Sequence, residues 1–124
     1  MTLGDFLQAQ TANDQPWNCS TMAADYCVTL GHPDFAADWR HITDPGLCDS
    51  VPLSAGGLVV LWAQGIGDSL SVIDHVQAGD IAVVSAFGLE VGAIWTGERW
   101  AIRAARGLHF LGTVGVRVVR AWRP

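Results

Sequence analysis

Cys19 opens the question of chemistry because of where it stands, in the run Trp17-Asn18-Cys19-Ser20-Thr21-Met22-Ala23-Ala24-Asp25-Tyr26-Cys27. Asn18 is a good N-cap, and Met22, Ala23, Tyr26, Cys27 and Leu30 recur at the spacing of one helical face. The pattern predicts a helix that has Cys19 in its first turn and stops at Gly31 and Pro33. In a first turn, unpaired backbone N–H groups and the positive end of the helix dipole favour a thiolate, pulling a cysteine below its free pKa of about 8.5. That is the preparation of a nucleophile. Hydrolysis by such a cysteine also requires an imidazole, first to hold the thiolate and then to protonate the departing amine.

The histidines available for that role are His32, His41, His75 and His109. His109 falls on a late predicted strand and His75 a few residues before the first strand; both are candidate substitute bases, with surface or core positions as the plainer alternative. The cysteines Cys19, Cys27 and Cys48 are odd in number, at no zinc-like spacing, and the histidines do not cluster with them. We read no metal site, no cofactor and no disulfide framework, and we expect Cys27 to be a small core residue.

The elements that must position these groups fall into two textures. Thr2 can cap a short helix with Leu3, Phe6 and Leu7 on one face, and residues 11–16 read as the polar loop leading to Cys19. A short helical piece follows from Pro33, with Phe35 packing on Trp39 four residues later. Residues 44–52 read as a turn with a helical fragment. Ser54 then caps a helix over 57–64 that is punctuated by Gly65 and Gly67.

From Gly79-Asp80 the chain becomes rich in Val, Ile and Trp, in segments at 81–86, 90–95, 100–104, 109–111 and 114–122. Helices followed by a meandering antiparallel sheet make an α+β domain spanning 1–124, with residues 1–78 helical and 79–124 forming the sheet. Arg117, Arg120 and Arg123 are expected at solvated or edge positions. Of the tryptophans, Trp39 and Trp62 are expected in the core, and Trp17 and Trp122 are the better candidates for interface anchors.

Composition narrows the partners. Half of the residues are apolar and 15% charged, with a net charge of −5. Residues 1–98 hold all twelve acids and one arginine, whereas residues 99–124 hold six arginines and no acid. Attraction between the two parts within one fold explains this segregation. Six arginines without a helical stripe or interleaved aromatics are a poor nucleic-acid signature. The longest apolar run, residues 56–63, is far short of the roughly 20 residues that span a membrane, and no basic start with an apolar stretch marks a secretion signal.

Taken in order, a cysteine at a helix start preceded by Trp and Asn, a Gly-Asp turn opening a strand, and a Val-Gly strand resemble the NlpC-type peptidases, papain-like cysteine enzymes that cut the peptide stems of bacterial cell walls. The chain is most similar to a short branch of that superfamily encoded among phage tail genes, which shares the Trp-x-Cys helix, a Gly-Gly-Leu helix, the Gly-Asp strand and a closing Arg-Ala-Trp-Arg, here Arg120-Ala121-Trp122-Arg123. The resemblance implies a papain-like fold in which N-terminal helices pack on the sheet. It puts Cys19 at the nucleophile position. The family's base, a histidine in His-Val-Gly, falls on Glu90 in Glu90-Val91-Gly92, and the third polar residue falls on Arg103.

Those replacements matter chemically. A carboxylate near Cys19 opposes ionisation of the thiol, and an arginine with a pKa above about 12 is no acid at neutral pH. Glu90 and Arg103 are expected instead to pair across neighbouring strands. The resemblance therefore implies a structural component of a phage or phage-like tail tip or baseplate with a degenerate peptidase fold. Its partners are then other tail-tip proteins, and its location is the virion tail after synthesis in the bacterial cytoplasm. Two alternatives stand beside it: an active cysteine amidase or endopeptidase acting on peptidoglycan during tail penetration, and a non-catalytic module that binds a cell-wall peptide.

Overall fold

Helix α1, Leu3–Gln10, begins as its sequence dictates: the Thr2 hydroxyl accepts from the Asp5 N–H at 3.1 Å and the Asp5 carboxylate accepts from the Thr2 N–H at 3.4 Å, a reciprocal capping box. The computed structural model describes residues 2–12, 16–43, 56–86, 88–104 and 107–124. The turn expected at 44–52, the Ser54 cap and Cys48 lie outside those residues. Helix α2 runs Thr21–Thr29 and α3 runs Leu58–Ile66. Among the described residues no helix is long and apolar enough to cross a membrane.

Residues 35–40 form tight turns rather than a continuous helix, with the Ala36 carbonyl accepting from both Trp39 and Arg40 N–H groups. They set the Phe35 and Trp39 rings 6.3 Å apart, the contact expected of residues spaced by four. The helix expected to end at Gly65 runs one residue past it. A Cβ on Gly65 would stand 2.2 Å from the Phe35 carbonyl oxygen and 2.9 Å from the Trp39 ring. Gly65 is there to let the 35–39 turn lie against α3, and Gly67 carries the stop.

The sheet contains β1 (Ser71–Ile73), β2 (Ile81–Ala86), β3 (Leu89–Trp95), β4 (Trp100–Ala104), β5 (Gly107–Leu111) and β6 (Val116–Arg123). Their order is β1-β6-β2-β3-β4-β5, and every pairing is antiparallel. The chain is thus an α+β protein with its helices ahead of its sheet, although strand β1 begins eight residues before the expected boundary at 79. Three residues carrying one exposed valine are too short to announce a strand; pairing with the end of β6 makes them one. Between β3 and β4 the chain reverses through Gly97 at φ 108°, while the Thr96 hydroxyl accepts from the Arg99 N–H at 3.0 Å.

Each sheet face has its own core. The face under the helices gathers Ile81, Val83, Ile94, Ala101 and Trp122 with Phe6, Met22, Tyr26, Phe35, Leu61 and Trp62. The other face gathers Ala82, Val84, Ala93, Trp100 and Ala121, rimmed by partly buried side chains from every strand but β2 and by Val76. Among the described residues, no helix residue belongs to that second cluster. Trp122, a candidate interface anchor by sequence, is instead core, stacked 5.9 Å from Trp62.

Asp80 locks this architecture together. Its carboxylate is 2% exposed and accepts from Arg123 Nε at 3.0 Å, Arg123 Nη2 at 2.9 Å and the Gln77 N–H at 2.7 Å. Arg123 Nη2 also donates to the His75 carbonyl. One arginine on β6, exposed as its sequence suggested, therefore ties down the whole connection from β1 to β2 through a carboxylate that the sequence did not assign to it. Asp80→Ala leaves the Gln77 N–H without its acceptor and unties the exposed Arg123, and is expected to cost about 2 kcal/mol, the scale for a lost buried hydrogen-bond partner. Asp80→Asn, which keeps the Gln77 bond, should fall between the two in urea denaturation; wild-type stability for Asp80→Ala would refute this role.

Candidate active site

Cys19 sits just ahead of α2 rather than within it. Ser20 takes the N-cap position without a side-chain cap bond, so the helix begins two residues after the cysteine. The cause is Asn18, which folds an Asx turn: its Oδ1 accepts from the Ser20 N–H at 2.9 Å, and its carbonyl accepts from the Thr21 hydroxyl at 3.1 Å. Its Nδ2 donates to the carbonyls of Trp39 at 3.0 Å and Ile42 at 3.1 Å. A buried Asn with these bonds pins the segment before Cys19 to the 39–42 turn. Because dipole effects fade beyond the terminal turn, Cys19 lacks the full setting that its sequence suggested.

Cys19 itself is half-buried, with its sulfur 4.0 Å from the Ser20 hydroxyl oxygen. That hydroxyl is fully buried and accepts from Trp62 Nε1 at 2.9 Å, joining α2 to α3 beneath the cysteine. Strand β3 crosses above at Gly92. A Cβ there would stand 2.3 Å from the Cys19 carbonyl oxygen and 2.5 Å from the Trp62 ring, so only glycine admits this approach.

Alternation along the strands assigns the other candidates. Gly92 and Ile94 face the helices, and Glu90 shares their side of β3; Arg103 shares the side of Ala101 on β4. Glu90 and Arg103 thus belong to the Cys19 face, yet they reach different helices. Glu90 is exposed, and its Oε1 lies 3.8 Å from where a Gly57 Cβ would be, at the N-terminal end of α3. Arg103 Nη1 donates to the Gln10 carbonyl at 2.9 Å, and its guanidinium lies 5.5 Å from the Trp17 ring centre. The expected Glu90–Arg103 pair is not formed: among the described residues the ion pairs are Arg40 with Asp25 and Asp34, and Arg123 with Asp80.

His109 pairs across from Ile102, whose side chain belongs to the second core, so period two puts it on the face away from Cys19. His75 is exposed in the connection held by Arg123. The four histidines all lie within the described residues, and none of them is hydrogen-bonded to Cys19. No group of three metal-ligating side chains gathers among them either.

Beside the start of α2 lies a cleft of about 390 Å³, lined by Trp17, Thr21, Asp25, Arg40, His41 and Arg103 among others. Cys19 is not among its lining residues. Sequence reasoning gave His41 no place in a cleft and missed the reach of Asn18. The Asn two residues ahead of Ser20 was the one legible signal of an Asx turn.

Cys27 is an ordinary core residue in packing but not in titration. Burial, and then the Asp34 charge, push its thiol up to about 12, and burial also raises the Tyr26 phenol. An unfolded thiol ionises from about pH 8.5, so the folded chain holds more protons above that pH. The stability contribution present below about pH 8.5 is therefore lost as pH rises toward 12, by up to about 1.4 kcal/mol per pH unit. Thermal melts between about pH 9 and 11 should show a shallower decline for Cys27→Ala; an unchanged slope would refute the assignment.

Compared with protein-family descriptions, curated proteins and solved structures, the chain matches none of them.

Proposed function

We propose that this chain is a non-catalytic component of a phage or phage-like tail tip, built on a papain-like scaffold in which the cysteine site has lost its base. The observation that carries the non-catalytic half is the surroundings of Cys19: Gly92 packed on its backbone, Glu90 and Arg103 drawn to separate helices, and no histidine bonded to it among the described residues. The tail half rests on the sequence resemblance, the Trp-x-Cys start and the closing Arg-Ala-Trp-Arg.

Iodoacetamide at about pH 6.5 should alkylate Cys19 no faster than free cysteine, whose pKa is about 8.5, and should spare the buried Cys27 until the chain unfolds. Rapid alkylation would revive a nucleophile. In a phage whose genome carries this gene, purified tails should contain the chain, and Cys19→Ala should leave assembly and infectivity unchanged. Absence from the particles would overturn the tail role; normal assembly with lost infectivity would overturn the non-catalytic one and support a peptidoglycan hydrolase.

A second reading, retention of a cell-wall peptide without cleavage, is favoured by the cleft. Trp17 offers an apolar wall with Arg103 over its ring, and the exposed His41 offers a donor for a peptide carboxylate. A stem peptide that binds intact, and binds more weakly to Arg103→Ala, would support it.

A further inference from the structure

The two edges of β6 are unequal. Its inner edge pairs with β2 along nearly its whole length, whereas β1 covers its outer edge only at residues 121–123. After Ile73 the chain leaves the sheet, drawn into the connection that Asp80 and Arg123 hold. Along residues 116–120, about 17 Å of strand, no described strand occupies the outer side.

The side chains along that stretch are of two kinds. Val118 is 41% exposed, and Val72 on the neighbouring end of β1 is 59% exposed. Arg117 and Arg120 are exposed, pair across from Ser85 and Val83, and so share one side of the sheet. Neither belongs to an ion pair among the described residues. The edge therefore combines open backbone hydrogen-bonding groups, exposed valine and two uncompensated positive charges in a protein whose net charge is −5.

We propose that the outer edge of β6 at residues 116–120 accepts an extended acidic segment of a partner protein as an added strand. Main-chain bonds would supply affinity, and alternation of acidic with apolar side chains would match Arg117 and Arg120 on one side and Val118 on the other. A second copy of this chain is the poorer occupant. Antiparallel pairing of two β6 edges about Val118 would bring Arg117 of each copy diagonally beside Arg120 of the other, a repulsive arrangement. The bulge between residues opposite Val83 and Val84 and the edge arginines both guard against self-pairing, and neither guards against an acidic strand.

The test uses the full chain and two capped eight-residue peptides, one alternating Glu with Val and the other Lys with Val, followed by amide chemical shifts and titration calorimetry. The Glu–Val peptide should perturb the amides of residues 116–120. Its affinity should fall about tenfold in the Arg117→Glu, Arg120→Glu double variant, the scale of two exposed charge pairs reversed. Unmoved amides at 116–120, equal binding of the Lys–Val peptide, or self-association of the free chain through this edge would each overturn the proposal.

Discussion

Gly92→Ala is expected to destabilise the protein by about 3 kcal/mol, the upper end for forcing extra atoms into a packed core. The new methyl group would be aimed at the Cys19 carbonyl oxygen, 2.3 Å away, and at two atoms of the Trp62 ring, 2.5 and 2.9 Å away. Neither neighbour is the loose end of a flexible side chain. The Cys19 backbone is braced by Asn18, whose side chain spans to the 39–42 turn, and Trp62 is fully buried between Phe35 and Trp122. Relief therefore requires β3 to lift from the helices, which disturbs the segment bearing Cys19. At roughly 4 °C per kcal/mol for a chain of this size, the thermal midpoint should fall by about 12 °C. A fall of less than about 3 °C would mean that β3 and the Cys19 turn are not in this contact.

Trp62→Ala should cost more, about 4 kcal/mol, because it empties the position that joins the two layers. The side chain is fully buried, with ring centres 4.8 Å from Phe35 and 5.9 Å from Trp122, and its Nε1 donates to Ser20. Trp62→Phe separates the contributions. It retains most of the ring contact but leaves the buried Ser20 hydroxyl without its donor, at about 1 to 2 kcal/mol. Urea denaturation of the two variants reads both values. Equal losses would assign the whole effect to the hydrogen bond, and no loss in Trp62→Phe would assign it all to packing. Since Ser20 adjoins Cys19, Trp62→Phe should also change the alkylation rate of Cys19 while the fold persists.

Glu90 and Arg103 serve cohesion. Arg103 holds the end of α1 and covers Trp17, and Glu90 sits at the start of α3, where its negative charge suits the positive helix terminus. Both side chains tie the sheet to the helices that lie across it.

Local chemistry made much of this legible from sequence. Thr2 and Asp5 form the capping box because both partners lie within four residues. Strands β2 and β4 have the expected bounds, since Val, Ile and Trp runs between turn residues leave few alternatives. Helices ahead of an antiparallel sheet followed from the same periodicities. What remained illegible depends on contacts far apart in the chain. Gly65 and Gly92 read as punctuation or as part of a strand, and only the approach of residues 35–39 and of Cys19 shows why a side chain is forbidden. Arg123 is exposed as it read, but its partner Asp80, 43 residues away, is found only when β6 lies beside the connection to β2. Trp122 read as an anchor until α3 laid Trp62 against it. Glu90 and Arg103 share a face by alternation alone, but which helix each meets is decided by how α1 and α3 lie across that face. The one-dimensional pattern specifies which side a residue points to; only tertiary packing specifies what is waiting there.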